Sequence, residues 1–498
     1  MRGLLRAIAP VRVIALVAVG VGLLLGAVHL PAPINLAARA SSVVATTSQA
    51  DPVTQTQSVC PGPEALGVEG LAASPAQNIS VVAVAAPVES LPSGFVVGHG
   101  DGSLTYSGLP SGGTWSAPGT VRGQLVLGQV STAQSVLVTG AGSMAPGTVA
   151  AQWSWTAKGD SRGLVTSACV PASVSSWLVA GGAAPGRLEH LVLANPASNP
   201  VTVDLTVLGT QGPIEAPNGQ DLVVGGHSRT VILLDAIAGT EPSPVVHVTA
   251  RGGKVAAFLS DTWLDGVVPR GGDDVSQQAA PAREQVIAGV PVDGGAILRV
   301  AVPGDTEAVV QSRVLTTAGP EPLTVGGVTR VPGGSTKDID LSSLPPGAYA
   351  VQVTSDIPVV AAAMVDRRQS AGAPSDLAWS VASEPIKALA GMALPAAGVT
   401  GLTQQLELVA TKSPASVRVT TVGTDGLVST NLVAVGADSV SMVPLAGATS
   451  VWVTPIAGII RAGVLSSVTD AGGVALSQTP LTNLRLTATP SPLRQLRD

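Results

Sequence analysis

The pattern of apolar and polar positions divides the chain into an N-terminal apolar run and a long alternating part. An uncharged apolar run extends from Val13 to Val28, behind three arginines and ahead of Pro31. A positively charged start followed by such a run is typical of an export segment, either a cleaved signal peptide or an uncleaved membrane anchor. Beyond residue 75, apolar and polar residues alternate in short stretches with the period of a β-strand. The pattern therefore predicts one N-terminal membrane segment and an otherwise all-β chain.

One phrase recurs four times in the alternating part of the chain. Each copy is an alternating strand that ends in Val-Thr, a short turn, and a second strand rich in Ala and Val. The copies begin at Ser135, Val245, Tyr349 and Ser450. We expect each copy to form a β-hairpin.

The spacing of the repeats indicates the size of the folding unit. A turn of small residues precedes three of the copies, and it recurs 108 residues apart from Gly226 to Gly334 and 102 residues apart from Gly334 to Gly436. A period near one hundred residues with six or seven strands is the size of an immunoglobulin-like sandwich. A β-propeller is the alternative, but its blades repeat at roughly 40–50 residues. The predicted fold class is all-β, with tandem immunoglobulin-like antiparallel β-sandwich modules after an N-terminal membrane helix and a flexible stalk.

The domain boundaries follow from these repeats and from the composition of the segments between them. We predict a signal anchor or signal peptide at 1–31, a flexible stalk at 32–75, β module 1 at 76–172, β-sandwich modules at 173–282, 283–388 and 389–485, and a tail at 486–498.

The N-terminal segment also determines the expected cellular location. Spanning a bilayer usually needs roughly 17–25 apolar residues, so a short anchor and a cleaved segment overlap in length here. The triplet Ala38-Arg39-Ala40 offers a cleavage site ahead of Ser41. We expect a single-pass protein of the cell membrane whose bulk is extracytoplasmic, with secretion after cleavage near Ala40 as the alternative.

Charge and cysteine content narrow the class of protein further. Charged residues make up only 12% of the 498 residues and give a net charge of −6, with no basic stripe, so nucleic acid is not an expected partner. The two cysteines, Cys60 and Cys169, predict one disulfide in an exported chain. Two free thiols or a metal site are the alternatives, and the absence of a nearby histidine pair argues against the metal.

The sequence offers little catalytic chemistry. None of the five histidines has the spacing of a metal-binding pair, and no G-x-S-x-G nucleophile elbow is present. The glycine-rich stretch 98–102 leads into a strand, so a turn is favoured over a phosphate loop. Asp261 and Asp265 flank Trp263, and a calcium or catalytic role for them is weaker than simple solvation. We predict no catalytic, cofactor or metal-binding residues, and the protein is not expected to be an enzyme.

Two tryptophans give the one indication of a ligand-binding site in the sequence. Trp153 and Trp155 stand two positions apart on a predicted strand and so share one face. The ring pair suits stacking on a carbohydrate, although packing against a neighbouring module is the safer interpretation in a chain with few aromatic residues.

Several short motifs occur together after the arginine-flanked N-terminal segment. They are Cys60 with the following Pro-Gly-Pro, the Arg-Gly-Leu stretch at 162–164 that leads to Cys169, and the segments 177–182 and 191–196. Together these features resemble an actinobacterial family of exported, membrane-anchored proteins of unknown function. The resemblance spans nearly the whole chain after the stalk. It implies a role in the cell envelope, because genes of that family accompany those for envelope glycans, and it supplies no catalytic residues.

The sequence thus predicts a non-enzymatic extracytoplasmic cell-envelope protein that acts as a spacer or interaction scaffold. Envelope proteins or cell-wall glycan are the expected partners, besides the membrane through the N-terminal helix. A carbohydrate-binding accessory protein of cell-wall glycan assembly and an unrecognised envelope enzyme are the alternatives.

Overall fold

The described residues are almost entirely antiparallel β-strands. A computed structural model describes residues 51–63, 79–110, 117–368, 372–395 and 399–488. Helical structure in these ranges consists of the α-helix α1 (Asp235–Ala238) and two short 3₁₀ turns, Val88–Ser90 and Pro217–Gly219. The all-β prediction is therefore confirmed.

The strands fall into four consecutive groups, which we call modules 1 to 4. Module 1 contains β1 (Gln55–Cys60), β2 (Ile79–Ala85), β3 (Gly102–Leu109), β4 (Val126–Val130), β5 (Ser135–Gly142), β6 (Thr148–Thr156) and β7 (Gly163–Ala168). Module 2 contains β8 (Ser175–Val179), β9 (Arg187–Asn195), β10 (Val201–Gly209), β11 (Gly212–Ile214), β12 (Leu222–Val224), β13 (Ser228–Leu233), β14 (Val245–Arg251), β15 (Ala256–Asp265) and β16 (Val268–Ser276).

The second half of the chain repeats this organisation. Module 3 contains β17 (Ala282–Val292), β18 (Gly295–Ala301), β19 (Ala308–Thr316), β20 (Gly319–Pro322), β21 (Val328–Val331), β22 (Thr336–Asp340), β23 (Gly347–Arg368) and β24 (Ser375–Val381). Module 4 contains β25 (Ala390–Ala393), β26 (Leu402–Ala410), β27 (Ala415–Gly423), β28 (Val428–Val435), β29 (Ser439–Pro444), β30 (Ala448–Ala457), β31 (Ile460–Asp470), β32 (Gly473–Pro480) and β33 (Thr482–Asn483).

The strands of modules 1, 2 and 4 form two antiparallel sheets each. The sheet orders are β1-β5-β3 with β4-β2-β6-β7 in module 1, β11-β10-β14-β8 with β13-β9-β15-β16 in module 2, and β28-β27-β30-β25-β33 with β29-β26-β31-β32 in module 4. In module 3 the long strand β23 joins the corresponding halves, because it pairs with β17 and β19 and then with β18 and β24. Apolar side chains on alternate positions of both sheets fill the core, as the burial of Val203, Leu205 and Val207 on β10 illustrates.

Three copies of the repeated phrase form a crossover between sheets and not the expected hairpin, and the copy at Tyr349 forms the single strand β23. In module 1, β5 pairs with β1 and β3, whereas β6 pairs with β2 and β7. The equivalent strands of module 2, β14 and β15, are likewise in different sheets. Alternation correctly indicates the two strands, but it contains no information about their partners, which come from distant parts of the chain.

The four modules close into a ring around four central strands. One sheet of each module ends at its centre with β7, β16, β24 or β32, and neighbouring members of this set contact each other around the ring. Modules 4 and 1 complete the closure, because the Val53 N–H donates to the Leu486 carbonyl at 2.9 Å and Pro52 forms a β-bridge with Thr487. The first and last described segments of the chain therefore join.

Apolar side chains also fill the boundaries between modules. Val59 and Leu137 of module 1 pack with Val192 and Phe258 of module 2. The core of module 2 continues into module 3, Val286 and other residues of module 3 pack with module 4, and the core of module 4 includes one face of β2 and β6. Burial of this kind stabilises the ring by about 25 cal/mol for each Å² of apolar surface removed from water.

The N-terminal predictions differ in their outcome. Residues 55–60, which fall in the predicted stalk, form β1 and pair with β5. Residues 1–31, the predicted anchor, lie outside the described residues.

The prediction of a single-pass membrane protein needs correction. No helix in the described ranges is long and apolar enough to cross a membrane. A spanning helix requires about 20 apolar residues, whereas α1 has 4 residues.

Candidate functional site

A buried polar cluster, which we call the hub, lies where the four central strands meet. It consists of Thr166, Asp273, Asp376, Trp379 and Ser477, from modules 1, 2, 3, 3 and 4. The Ser477 hydroxyl donates to Asp273 Oδ1 at 3.2 Å and accepts from the Thr166 N–H at 3.0 Å. The backbone N–H of Trp379 donates to Asp273 Oδ2 at 2.8 Å. One continuous series of hydrogen bonds therefore connects all four modules.

Asp376 adds a second connection at the hub. Its Oδ2 accepts the backbone N–H groups of Leu164 in module 1 and Leu476 in module 4, each at 3.0 Å. Burial raises the pKa of Asp376 to about 8, although these N–H groups act in the opposite direction. Position 271, which faces Asp376, requires glycine. A Cβ atom at Gly271 would lie 1.9 Å from Asp376 Oδ1, and the φ angle of Gly271 is +94°.

The hub is closed to ligands. Asp273 is buried, and burial together with the nearby Asp274 and Asp376 raises its pKa well above the ordinary range. The cavity beside Asp273 and Asp274 holds about 30 Å³, which is the space of roughly one water molecule. The hub carboxyl groups therefore link the modules and do not line a substrate site.

A buried ion pair within module 2 lies at the boundary with module 3. Arg187 donates to both oxygens of Asp261, at 2.8 and 2.5 Å, and Trp379 Nε1 donates to Asp261 Oδ2 at 2.7 Å. Asp261 was a candidate for calcium binding or catalysis in the sequence, but its charge is already matched in the interior. Its partner candidate Asp265 instead faces Arg270, at 3.6 Å.

A serine and a histidine that the sequence analysis did not single out also come together. Ser175 Oγ lies 2.8 Å from His247 Nε2, and the imidazole stacks on Trp177 with ring centroids 4.1 Å apart. Burial lowers the pKa of His247. In the described residues no carboxylate hydrogen-bonds to this imidazole, and the pair does not line any cavity described for the fold, so it lacks the orienting acid and the substrate space of a nucleophilic triad.

A concave surface lies between modules 1 and 4, and we call it the 1–4 groove. It has a volume of about 830 Å³, within the range of small-ligand sites. Module 1 contributes residues from β2, β4, β6 and the segment before β4, and module 4 contributes the β27–β28 turn and neighbouring positions. The groove therefore exists only because the ring closes.

The module 1 wall of the groove is an ordered row of side chains. Ser80 on β2 stands opposite Gln129 on β4 and opposite Trp153 on β6, so the three side chains project from one face of the sheet. Gln129 is exposed and Trp153 is half-buried. The row therefore offers an amide, a hydroxyl and an indole side by side.

Arg122 shapes the groove without supplying a free charge to it. Its guanidinium donates to the carbonyl oxygens of Ala86, Ser143 and Pro146 at 2.8, 2.6 and 2.7 Å. Burial lowers its pKa to about 10. On the module 4 wall, Asp425 accepts the Leu427 N–H at 3.0 Å and orders the turn.

The structure separates the two tryptophans that the sequence grouped. Both rings project from the same side of β6 toward module 4, but Trp153 packs against the core of module 4 and lines the groove, whereas Trp155 packs with Leu164 and Val468. Arg162 lies over the Trp155 ring, 5.6 Å from its centroid. A two-ring platform is therefore not formed in the groove, and Trp153 alone borders it.

Cys60 and Cys169 form a disulfide, the pairing that the sequence predicts. Cys60 ends β1 in one sheet of module 1 and Cys169 follows β7 in the other. The bond therefore fastens the two sheets to each other next to a central strand.

Sequence reasoning did not identify the hub or most of the groove. Asp273 and Asp376 look like solvated loop carboxylates because glycines, serines and prolines surround them in the sequence. A usable signal was the carboxylate inside an otherwise apolar stretch, as in the segment Ser375–Val381, where every residue is buried. Gln129 and Asp425 carry no such signal, since only the ring closure brings them together.

These features define a class of protein, an all-β chain whose four antiparallel modules close around a buried polar hub. The chain belongs to the Family of unknown function (DUF5719), whose family model matches residues 127–446. Curated proteins include no match to this chain.

Solved structures give only distant similarities. The chain is similar to Thermotoga maritima 1070 (15% identity, 21% of this chain and 97% of the other, TM-score 0.18). It is also similar to a tetra-tandem repeat from the extending region of a large adhesion protein (14% identity, 86% and 99%, TM-score 0.10). A third similarity is to a glycoside hydrolase family 32 protein from Bifidobacterium adolescentis (10% identity, 87% and 100%, TM-score 0.14). At these TM-scores none of the three carries an argument about this chain.

Proposed function

We propose that this protein is a non-enzymatic, extracytoplasmic interaction scaffold that presents the 1–4 groove to a partner of the cell envelope. The observation that carries the proposal is the groove itself, which two modules build together and the hub holds in position. A preformed groove lowers the entropy cost of binding because its walls are already ordered. The disulfide supports an oxidising compartment.

The finer fold and family assignments belong to the same proposal. The two facing sheets of modules 1, 2 and 4 support an immunoglobulin-like sandwich as the unit. An actinobacterial origin, with a role among envelope glycans, is the setting in which we expect the scaffold to work.

A site-specific crosslink tests the scaffold function. We expect a photo-crosslinking amino acid at Leu127, which lines the groove and is 61% exposed, to capture an envelope component in the producing cells. The matched control is Val267 in module 2, which is 87% exposed and lies outside the groove. Capture at Leu127 but not at Val267 supports the proposal, while equal capture at both positions, or none, contradicts it.

Carbohydrate is the second candidate, and the row of Gln129, Ser80 and Trp153 favours it. An indole provides an apolar surface for a sugar ring, and amide, hydroxyl and carboxylate groups suit sugar hydroxyls. Asp425 supplies the carboxylate from the opposite wall. The groove has no unpaired basic side chain in its described lining, since Arg122 is engaged by carbonyl groups, so a neutral glycan fits better than an acidic one.

Two matched variants test the carbohydrate hypothesis. Trp153→Ala should weaken binding of solubilised neutral cell-wall polysaccharide, measured by calorimetry, by at least about tenfold. Trp155→Ala changes the same residue type two positions away on the same strand, outside the groove, and should preserve binding. If both variants bind as the wild type does, the groove is not the glycan site.

A further inference from the structure

The edge strand β28 differs from its counterparts in modules 2 and 3. It has eight residues and pairs along its whole length with β27. Its sequence, VSTNLVAV, contains no charged residue and no proline. It forms the edge of its sheet, so the backbone groups on its other side have no strand partner in the described part of the chain.

The equivalent edges in modules 2 and 3 are interrupted. In module 2, the edge beside β10 is divided into β11 and β12, of three residues each, and β11 contains Pro213. In module 3, the edge beside β19 is divided into β20 and β21, of four residues each, with two prolines, Glu321 and Arg330. Prolines, charges and short strands are the usual protection of a sheet edge against pairing with another chain. Module 4 lacks all three protections at this one position.

The side chains of β28 are also open to solvent. Every residue from Val428 to Leu432 is exposed, and Leu432 is 76% exposed. An exposed leucine in the middle of an uncharged strand whose outer edge has no strand partner favours association over solvation.

We infer that β28 is a self-association edge, which pairs with β28 of a second copy of this chain. An antiparallel pair of identical edges is a two-fold interface, in which both copies use the same residues. When two copies of β28 pair, eight uncharged positions on one strand meet eight on the other, and no charge is left unpaired. A strand of another protein that carries charged residues would leave those charges without partners on β28. The second copy therefore supplies a strand of the required length and character.

Pairing at β28 also bears on the groove. Val428 begins the strand and lines the 1–4 groove. A dimer formed through β28 therefore has two 1–4 grooves next to its interface, although the association does not depend on which partner the grooves take.

Charge placed on the edge tests this inference. We expect the full wild-type chain to sediment as a dimer that dissociates on dilution. Leu432→Lys should raise the dissociation constant at least about tenfold, because a charge on an edge strand opposes its pairing with another chain. The matched control is Val328→Lys on β21, a strand at the interrupted edge of module 3, where the side chain is 69% exposed. Unchanged melting temperatures establish that both variants are folded.

Hydrogen exchange provides a second readout. The amides of Val428–Val435 should become more protected in the wild type as its concentration rises, and not in Leu432→Lys. A wild-type chain that remains monomeric up to its solubility limit, with free exchange of the β28 amides that point away from β27, would overturn the inference and leave this edge to a strand of another protein. Equal dimerisation of Leu432→Lys and wild type would overturn it as well.

Discussion

Buried carboxyl groups connect neighbouring modules, and at Glu407 burial changes the pKa of such a group. Glu407 lies on β26, fully buried, and its carboxyl group faces Gly289 of module 3. Burial raises its pKa to about 7, against a smaller opposing contribution from the Gly289 N–H. The folded chain therefore holds a proton at this residue at mildly acidic pH that the unfolded chain has already released.

The pH dependence of stability tests this assignment. Between about pH 4.5 and pH 7 the folded state binds more protons than the unfolded state, so the contribution of Glu407 to the free energy of unfolding falls as the pH rises. Glu407→Gln should remove this slope and should stabilise the protein at pH 8 by about 1–3 kcal/mol relative to the wild type. Urea unfolding at a series of pH values measures both.

The control for this effect is an exposed glutamate. Glu215→Gln on the surface of module 2 should leave the pH profile of the wild type unchanged. A Glu407→Gln profile that runs parallel to the wild type across this range would show that Glu407 titrates normally.

At the scale of elements, hydrogen bonds between modules add to the pairing of the central strands within their own sheets. Asp376→Ala removes the acceptor for two buried N–H groups in modules 1 and 4, those of Leu164 and Leu476. We expect it to lower the free energy of unfolding by about 3–5 kcal/mol, since unsatisfied buried groups cost about 1–3 kcal/mol each. Denaturant unfolding at pH 7 measures the change.

Asp376→Asn is the matched variant for this prediction. It keeps a carbonyl oxygen as acceptor and resembles the protonated carboxyl group that the raised pKa, about 8, favours at pH 7. Its cost should be well below that of Asp376→Ala. Equal losses for the two variants would mean that the hydrogen bonds at Asp376 do not hold the central strands.

The sequence predicted the positions of individual strands well, but it did not predict which strands pair with each other. The Val-Thr phrase identified seven core strands through period-two alternation, because the side chains of a half-buried strand must alternate. It did not distinguish a hairpin from a crossover, because β5 and β6 find partners such as β1 and β2 far away in the sequence. Asp376 was missed for the same reason, since its partners lie in two other modules.

The candidate site was predicted only in part. Trp153 was a candidate because of its residue type, and the structure places it at the groove. The strand register places Ser80 and Gln129 beside Trp153, and the ring closure places Asp425 opposite them. A local sequence pattern predicts neither the register nor the closure, because both arise from pairing between segments distant in the chain.

For the molecule as a whole, the disulfide should contribute a large part of the stability of module 1. Closing a loop of 109 residues is worth about 4–5 kcal/mol in the chain-entropy model. We expect the double variant Cys60→Ser/Cys169→Ser to lose up to that amount of unfolding free energy, measured by chemical denaturation. Reduction of the wild type should have the same effect as the double variant. A variant as stable as the oxidised wild type would contradict the prediction.

The four modules behave as one ring, which is fastened at the hub and closed between the first and last described segments of the chain. Differential scanning calorimetry of the full chain tests it most directly, by comparing the calorimetric enthalpy of unfolding with the van't Hoff enthalpy. A single transition with a ratio of about one means that the modules unfold together, as the shared hub requires. Separate transitions, or a ratio of about four, would show that the modules unfold independently and would contradict the ring as the functional unit.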